Sequence, residues 1–500
     1  MAETNSPSAP IAHPDRFFIG GQWVTPATNA QIDVITSSTE ELFFRVAEAQ
    51  AEDINAAVAA ARHAFDHGPW PRMSHAERAA CLRRIGELTA TRVADMATLW
   101  VNESGIVSGL AQYATQGIPH VFDDYASLAD SFPFEEQHKP RAGGKVGLLV
   151  RGPVGVVAAI IPWNGPLLMI AHKIAPALLA GCTVILKASP EAPGEAYLMA
   201  EICAAVGLPK GVFNVVTANR AVSELLVRHP GVDKVTFTGS SAAGKKIGAI
   251  CGERIARCTL ELGGKSAAII LDDYDLETAA QSISGTARLL TGQVCSALTR
   301  IIVPRKRHDA MVEALCAKFS SIRVGDPFDG ATEMGPVATS RQRQRVESYI
   351  AKGVAEGARL ATGGGRPKAL SRGYFVEPTV FGHVDNAMTI AREEIFGPVL
   401  AVIPADDESQ AVEIANDSDF GLNASVFTND PERAYRAARQ LRSGTVGHNS
   451  YRTDLSIAFG GFKQSGIGRE GGIEGLRPFL ETKTVILEGT PQHLAATNIK

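Results

Sequence analysis

From about Val146 onward, short apolar runs alternate with segments whose apolar residues recur every three or four positions. The continuous runs predict strands at GVVAAII, TVILKAS, VFNVVTA and KVTFTG. The periodic segments between them predict helices at PLLMIAHKIAPALLAG, which ends at Gly181, and at GEAYLMAEICAAVG, AVSELLVRH and SAAGKKIGAICGERI. This alternation predicts an α/β fold with a parallel, doubly wound sheet, in which ligands bind at the carboxyl ends of the strands.

The flanking regions carry similar patterns. Helical periodicity runs through AEDINAAVAAARHAF and SHAERAACLRRIGELTATRVADMATLW, with Asp53 and Ser74 as predicted caps. A second α/β region extends from about Gly264 to Gly460. The closing run ETKTVILE predicts a strand that needs a partner, which another subunit could supply. The first 15 residues are polar and proline-rich, which predicts a flexible tail.

Composition excludes several classes of function. With 500 residues and a net charge of −4, the chain has no electrostatic basis for binding nucleic acid or an anionic membrane. Its longest apolar stretches fall short of the ~20 residues of a membrane helix, and its first residues do not resemble a signal peptide. The seven cysteines are scattered, with no CxxC pair or Cys/His cluster. We therefore expect no metal site and no disulfide framework, and a reducing, cytoplasmic location.

One cysteine stands apart, in TGQVCSALTR, where Cys295 has small and polar neighbours instead of an apolar run. A free cysteine usually behaves as a small buried hydrophobe, and that interpretation starts as the favoured one. A nucleophile is the alternative, because a partly exposed thiolate in a polar setting is reactive.

A glycine-containing turn follows the predicted strand at FTGSSAAGKK. Gly239, Ser240 and Gly244 open a helix there, and a helix start with close backbone approach favours an anion such as phosphate. The stretch nearly spells a P-loop, but Lys246 occupies the position of the Ser or Thr that binds magnesium. A helix start that binds nothing remains equally open.

Two further polar residues lie at predicted strand ends. Glu261 ends the apolar run CTLELGG, and burial there would raise its pKa toward that of a general base. Asn164 lies in the turn WNGP, where its amide could donate to a developing oxyanion. Taken alone, a surface glutamate and an ordinary turn asparagine are the commoner interpretations.

Together these residues are the parts of a covalent mechanism with a nucleotide cofactor, and the chain resembles the NAD(P)-dependent aldehyde dehydrogenase superfamily. The likeness extends from about Phe17 to Val485. It is carried by FFIGGQWV, RGPVGVVAAIIPWNGP, APALLAGCTVILKAS, GLPKGVFNVV, VTFTGS, LELGGKSAAI, GQVC, GYFVEPTV, EEIFGPVL, FGLNASVFT and FGGFKQSGIGRE, in the family's order.

The resemblance implies a role for each matching position. Cys295 would be the nucleophile, Glu261 the general base, and Asn164 the oxyanion donor together with the Cys295 N–H. Lys173 and Glu470 would relay protons from the base. The implied cofactor-binding residues are Ile161, Trp163, Lys187, Ser189, Gly239, Ser240, Gly244, Leu262, Glu394 and Phe396. The implied substrate pocket comprises Gly165, Met169, His172, Val294, Ser296 and Phe459.

The implied reaction is oxidation of an aldehyde to a carboxylic acid. The Cys295 thiolate attacks the aldehyde, hydride passes to the nicotinamide, and water activated by Glu261 hydrolyses the thioester. The presence of Glu261 argues for hydrolysis over transfer to coenzyme A. An inactive relative with a structural or binding role is the alternative, although this chain keeps both Cys295 and Glu261. A P-loop hydrolase is a weaker rival.

Two departures from the family pattern affect specificity. Pro190 stands where many members have a glutamate that repels the 2′-phosphate, so we expect NAD to be preferred with NADP still possible. Glu191 is adjacent but is expected to point elsewhere. Gly165 and His172 replace bulky residues of the substrate tunnel, which predicts a bulky apolar aldehyde, aromatic or terpenoid. A small aliphatic aldehyde or a semialdehyde is the alternative.

The resemblance also implies a domain plan and an assembly. It predicts a homodimer or homotetramer that takes a small-molecule aldehyde and has no nucleic-acid or membrane partner. The plan comprises a tail of residues 1–15, a dinucleotide-binding domain of residues 16–135 and 152–263, a catalytic domain of residues 264–467, and an oligomerisation element of residues 136–151 with the C-terminal residues 468–500.

Overall fold

The computed structural model describes residues 9–492 of the chain. The strands in chain order are β1 Phe17–Ile19, β2 Gln22–Val24, β3 Gln31–Ile35, β4 Leu42–Ala47, β5 Glu135–His138, β6 Val146–Pro153, β7 Val156–Ile160, β8 Thr183–Ala188, β9 Phe213–Thr217, β10 Lys234–Thr238, β11 Arg257–Glu261, β12 Ser266–Ile270, β13 Leu298–Pro304, β14 Arg359–Thr362, β15 Thr379–Gly382, β16 Val399–Ala405, β17 Phe420–Gly421, β18 Asn423–Phe427, β19 Thr445–His448, β20 Phe462–Lys463, β21 Gly466–Ile467 and β22 Leu480–Leu487.

The α-helices in chain order are α1 Ala51–Asp66, α2 His75–Ala90, α3 Val93–Ser104, α4 Ser108–Thr115, α5 Ile118–Ser131, α6 Pro166–Ala180, α7 Gly194–Val206, α8 Arg220–Arg228, α9 Ser241–Arg254, α10 Leu276–Ala287, α11 His308–Ser320, α12 Ser340–Ala355, α13 Thr389–Arg392, α14 Glu408–Asn416, α15 Pro431–Gln440 and α16 Gly472–Leu476. No helix within residues 9–492 is long and apolar enough to cross a membrane.

The first sheet has the order β2-β1-β9-β8-β7-β10-β11-β21 and is parallel from β9 to β11. The chain builds β7, β8 and β9 outward on one side, then returns past β7 to add β10 and β11 on the other. The topological switch point therefore lies between β7 and β10, where a doubly wound sheet binds its ligand. Both faces of β7 are buried, with Val157 and Ala159 in one core and Val156, Ala158 and Ile160 in another, which explains its continuous apolar run.

The second sheet has the order β14-β15-β16-β13-β12-β18-β19 and is parallel except for β14. Its central strand β12 is also buried on both faces. The third sheet has the order β22-β6-β5, and the predicted strand ETKTVILE forms its edge as β22, antiparallel to β6. The large sheet thus comes from strands before residue 264 except for β21, and the second sheet comes from strands after it. A small sheet joins β5 and β6 to β22, and two further pairs, β3-β4 and β17-β20, stand apart. The exact domain boundaries remain a prediction.

Helix boundaries depart from the sequence pattern in two places. The long periodic stretch after Ser74 forms two helices, α2 and α3, because the chain breaks at Thr91, whose hydroxyl donates to the Leu88 carbonyl at 2.7 Å. Ser74 caps α2 as predicted, but the cap of α1 is Gln50. Asp53 instead lies one turn inside α1 and accepts from the Gln50 N–H at 2.9 Å.

The predicted flexible tail does not include the residues just before β1. The Ala12 N–H donates to the Glu201 carboxylate at 2.6 Å, and Arg92 donates to the Pro10 carbonyl at 3.0 Å. These two hydrogen bonds anchor residues 9–15 to α7 and to the turn before α3. The rest of that prediction, residues 1–8, lies outside the described residues.

Candidate active site

Polar residues from several strands meet at the carboxyl edge of the first sheet. Asn164 follows β7, Ser189 follows β8, Gly239 follows β10, and Glu261 is the last residue of β11. Cys295 comes from the second α/β region, where it lies between a short turn at Leu289–Gly292 and β13. The edge that the topology marks as a ligand site therefore lies against the loop that carries the thiol.

The Cys295 loop has an unusual backbone. Leu290, Thr291 and Gly292 adopt positive φ angles of 48°, 55° and 73°, and the first two belong to side chains that rarely do so. The buried Gln293 side chain holds this conformation, donating to the Leu290 carbonyl at 2.9 Å and accepting from the Ala338 N–H at 2.9 Å. Such backbone strain persists only where the surroundings hold it, and it is typical of functional loops.

Asn164 contacts the loop that carries Cys295. The Asn164 side-chain amide donates to the Gln293 carbonyl, two residues before the thiol, at 2.9 Å. On the other side of the thiol, a Cβ on Gly264 would lie 2.4 Å from the Cys295 carbonyl oxygen, so only glycine fits. Burial raises the pKa of the Cys295 thiol to about 12, and the charges of Glu394 and Glu261 add to the shift. The thiol is therefore protonated until something favours its anion.

Glu261 is buried, which excludes the surface interpretation. Only 2% of the residue is exposed, and neither carboxylate oxygen has a hydrogen-bond partner within residues 9–492. Burial, followed by the charge of Glu470, raises the pKa of Glu261 well above its usual range. A Cβ on Gly460 would lie 2.6 Å from Glu261 Oε1, so a glycine is needed there. An elevated pKa and carboxylate oxygens without partners among the described residues are properties that suit a general base.

Lys173 and Glu470 form a buried ion pair near that base. Lys173 also donates to the Thr236 hydroxyl at 3.2 Å, and Thr236 donates to Glu470 Oε1 at 3.4 Å. The second oxygen of Glu470 has no partner among the described residues. Because the charge of Glu470 acts on Glu261, the three groups belong to one electrostatic cluster.

The start of α9 has the features of an anion site. Ser240 caps the helix, accepting from the Ala243 N–H at 3.3 Å, and the first N–H groups of a helix lack intrahelical partners. Gly244 and Gly239 are small for packing reasons, since a Cβ would lie 2.3 Å from Leu262 and 2.5 Å from the Phe237 ring. Lys246 forms an ion pair with Glu224, so the P-loop interpretation has no support.

The remaining predicted cofactor residues surround this edge. The Trp163 and Phe396 rings, both partly exposed, meet edge-on with centroids 5.4 Å apart. Glu394 accepts from the Gly264 N–H at 3.2 Å, and burial raises its pKa to about 7. Burial lowers the pKa of Lys187, at the end of β8, to about 8. Ile161, Ser189 and Leu262 are buried. A helix start for phosphates, an aromatic wall and polar groups at strand ends fit a dinucleotide.

The predicted pocket residues divide into two groups. Gly165, Met169 and Val294 are partly exposed, and a Cβ on Gly165 would meet only Trp100, at 4.0 Å. His172 and Phe459 are buried beside the cluster of Lys173, Glu470 and Glu261. The His172 ring lies 6.2 Å from that of Tyr125, and burial lowers its pKa to about 4, so it is neutral at pH 7. The Phe459 backbone pairs with that of Glu470. Ser296 is buried and hydrogen-bonded to Tyr451 at 2.7 Å.

Comparison with known proteins agrees with this geometry. Residues 23–485 match the aldehyde dehydrogenase family. The chain belongs to the aldehyde dehydrogenase family. It is 44% identical over 473 residues to the geranial dehydrogenase of Castellaniella defragrans, covering 94% of this chain and 98% of that one. It is 44% identical over 476 residues to the 3-succinoylsemialdehyde-pyridine dehydrogenase of a Pseudomonas species, with the same coverage.

A solved structure confirms the fold. The aldehyde dehydrogenase of Mycobacterium tuberculosis, complexed with NAD+, superposes with a TM-score of 0.92 at 46% identity, covering 95% of this chain and 98% of that one. The predicted family, fold and enzyme class are therefore confirmed. The role of each site residue in this aldehyde dehydrogenase remains a prediction that the geometry supports.

Three residues of this aldehyde dehydrogenase site escaped the sequence analysis. Trp100 lies on α3, and its indole N–H donates to the Asn164 carbonyl at 2.8 Å. Tyr451 lies in the loop after β19 and contacts Ser296. Arg341 lies in the first turn of α12 and contacts the loop after β8. Each contact joins segments that are far apart in the chain, so no local pattern could have indicated it.

A metal ion is not expected, although one group of described side chains comes close to the required arrangement. His308, Asp309 and His383 place their ligand atoms within 4.8 Å of one another. However, the backbone N–H of His383 donates to His308 Nε2 at 3.0 Å. Because Nε2 accepts this hydrogen bond, the ring proton of His308 lies on Nδ1. The Nδ1 proton is shared with Asp309 at 2.8 Å. A metal on Nδ1 would have to displace it, so the geometry favours a hydrogen-bonded cluster over a metal site.

The contact of Ser296 with the thiol predicts a shifted pH profile. Burial raises the pKa of the Cys295 thiol, and the backbone N–H and the hydroxyl of Ser296 both act to lower it. In Ser296→Ala the thiol pKa should rise, so that alkylation by iodoacetamide at a fixed pH below it slows by up to about tenfold per pKa unit. The measurement is the rate of Cys295 alkylation against pH, quantified by peptide mass spectrometry.

Two variants control this experiment. Ser296→Thr keeps a hydroxyl and should restore the profile. Tyr451→Phe removes only the partner of that hydroxyl and should produce a smaller shift in the same direction. An alkylation profile of Ser296→Ala that superposes on that of the parent protein would contradict the assignment.

Proposed function

We propose that this enzyme oxidises a bulky apolar aldehyde, aromatic or terpenoid, to its carboxylic acid with NAD as the hydride acceptor. The observation that supports the mechanism is the convergence of three groups from separate segments. The Cys295 loop, the Asn164 amide that donates to it and the buried Glu261 carboxylate, which has no hydrogen-bond partner within residues 9–492, all lie at the switch-point edge. The overall change converts aldehyde, NAD+ and water into acid, NADH and a proton.

Each residue has one chemical task. Cys295 attacks the carbonyl carbon as its thiolate, and the Asn164 amide, with the Cys295 N–H, donates to the resulting oxyanion. NAD, when bound, supplies the hydride acceptor. Glu261 then takes a proton from the water that hydrolyses the thioester, and Glu470 with Lys173 carries that proton away. The chain keeps both nucleophile and base, which disfavours an inactive relative.

NAD is the cofactor that the site favours. The helix start at Ser240, the Trp163–Phe396 wall and the Glu394 carboxylate offer partners for the pyrophosphate, the nicotinamide ring and its ribose, respectively. The M. tuberculosis relative holds NAD+, which supports the same choice here.

The size of the substrate rests on Gly165. Its φ of −150° lies outside the left-handed region that favours glycine. The space beside it is bounded by Trp100, at 4.0 Å from an added Cβ. The geranial dehydrogenase relative supports a terpenoid substrate. The 3-succinoylsemialdehyde-pyridine dehydrogenase relative, which is also 44% identical, supports the alternative of a semialdehyde substrate.

The substrate test is the Gly165→Phe variant. A phenylalanine ring can bury 150–250 Å² and would fill the space beside Trp100. We expect kcat/KM for benzaldehyde and geranial to fall by about tenfold or more, while kcat/KM for acetaldehyde changes little, because only large substrates need that volume. The measurement is steady-state NADH formation over this panel of aldehydes.

A smaller substitution provides the control. Gly165→Ala adds one carbon that only Trp100 approaches, so it should behave almost like the parent protein. Equal losses for benzaldehyde and acetaldehyde in Gly165→Phe would remove the size argument. A parent enzyme that prefers short semialdehydes would favour the alternative substrate class.

We also propose a homodimer or homotetramer. Strand β22 is eight residues long and mostly exposed, and its outer edge has no partner strand within residues 9–492. Such an edge readily pairs with another chain. The seven cysteines, all free thiols, support the proposal of a reducing, cytoplasmic compartment.

A further inference from the structure

The loop after β8 carries a carboxylate that turns back toward the strand. The Ser189 hydroxyl donates to Glu191 Oε2 at 2.6 Å, and the same loop is closed by a backbone bridge between Ser189 and Ala192. We expected from the sequence that Glu191 points elsewhere, but within this loop it turns back toward the end of β8. Its carboxylate lies against the hydroxyl of the first residue after β8, and its charge acts on the buried Lys187 ammonium.

The second α/β region supplies a cation to the Glu191 carboxylate. Arg341, in the first turn of α12, donates to Glu191 Oε1 at 2.5 Å. The Arg341 side chain is 73% exposed and the Glu191 side chain 20%. The carboxylate is therefore held between a hydroxyl and a guanidinium, while most of the guanidinium remains open to solvent and to any further anion.

Doubly wound sheets discriminate between the two dinucleotides with these residue types. In such sheets an acidic residue accepts hydrogen bonds from the ribose 2′-hydroxyl, and a nearby arginine accommodates a 2′-phosphate instead. Here both groups are present at the end of β8 and are paired with each other. The ion pair occupies the guanidinium with a carboxylate, and that carboxylate would repel a 2′-phosphate that approached it.

We propose that Glu191 selects NAD against NADP and that Arg341 is a latent 2′-phosphate partner which Glu191 keeps occupied. This inference rests on the proposed dinucleotide function of the same edge. It replaces the expectation that Pro190 leaves the ribose site without an acid. The acid is supplied one residue later, and Ser189 and Arg341 orient it.

The test measures dinucleotide binding directly, by isothermal titration of the full-length protein with NAD and with NADP. In Glu191→Gln the repulsion is removed and both Lys187 and Arg341 become available, so the Kd for NADP should fall by about tenfold or more. The Kd for NAD should rise only a few-fold, about two to five, because one ribose contact is weakened. The NADP gain should shrink at high salt, as expected for a charge contact.

Three variants separate this proposal from a general charge effect. Arg341→Gln alone should give no NADP gain, and the double variant Glu191→Gln/Arg341→Gln should lose most of the gain seen in Glu191→Gln. Glu347 lies on α12, as Arg341 does, is exposed to a similar extent as Glu191, and pairs with Arg366 at 2.5 Å. Glu347→Gln should leave the dissociation constants of NAD and NADP unchanged. Turnover of benzaldehyde with NAD and with NADP should change in parallel with binding.

The outcomes are distinct. An unchanged NADP affinity in Glu191→Gln, in a protein that still binds NAD, overturns the role of Glu191. A gain that survives in the double variant overturns the role of Arg341. A parent protein that binds neither dinucleotide contradicts the proposed function itself.

Discussion

Replacing Cys295 with alanine is expected to abolish aldehyde oxidation while leaving dinucleotide binding nearly intact. The thiol forms the covalent bond to the substrate, and loss of a catalytic nucleophile lowers kcat by about 10⁴-fold or more. The contacts that we assign to the dinucleotide lie at the ends of β7, β8, β10 and β11 and at Glu394 and Phe396, and none of them uses the thiol. NADH formation from benzaldehyde and titration with NAD measure the two effects separately.

A second cysteine of the same unit provides the control. Cys316 is also a partly buried free thiol, and Cys316→Ala should retain full activity because α11 contributes no group to the site. If Cys295→Ala retained more than a small residual turnover, the thiol could not be the nucleophile. If it lost NAD binding as well, the loop would have a structural role that we have not assigned.

The Glu261→Gln variant should uncouple the two halves of the reaction. Acylation and hydride transfer need the thiol, whereas thioester hydrolysis needs a base, and a general base contributes about 10²–10⁴-fold. Steady-state turnover should therefore fall by that factor, while a burst of NADH close to one equivalent per active site persists. Glutamine keeps the shape that fits against Gly460, so the fold should not be affected. Stopped-flow absorbance resolves the burst from the steady state.

The pH dependence of hydrolysis follows from the same burial. Because burial raises the pKa of Glu261, the ionised form that acts as base is gained only as pH rises through this elevated pKa. Deacylation should therefore accelerate with pH above the usual range of a glutamate, and Glu261→Gln should lose that pH dependence. Disappearance of the NADH burst in Glu261→Gln would show that Glu261 acts earlier, by activating Cys295.

The sequence by itself determined the class of fold and the residues that could take part in catalysis. Strand–helix alternation is a local pattern, and the runs around β7, β8 and β10 predict a parallel sheet without any knowledge of contacts. Glu261 and Asn164 stand out because each lies at the end of an apolar run beside glycines, and Cys295 stands out because its neighbours are small and polar. Their motifs also carried the resemblance to the family. These inferences were possible because backbone propensity and hydrophobic period act over a few residues.

Other properties were decided only by tertiary structure. The sequence left Glu261 open between a surface and a buried position, because burial depends on what covers a strand end. The partners of Asn164, Ser296 and Glu191, namely Trp100, Tyr451 and Arg341, lie 64, 155 and 150 positions away, respectively. Such contacts have no period and no spacing that a single sequence could reveal. The size of the pocket and the proposed choice between NAD and NADP depend on those distant side chains. Specificity depends on the side chains that line a site and come from distant segments, whereas the reacting groups lie in short local motifs.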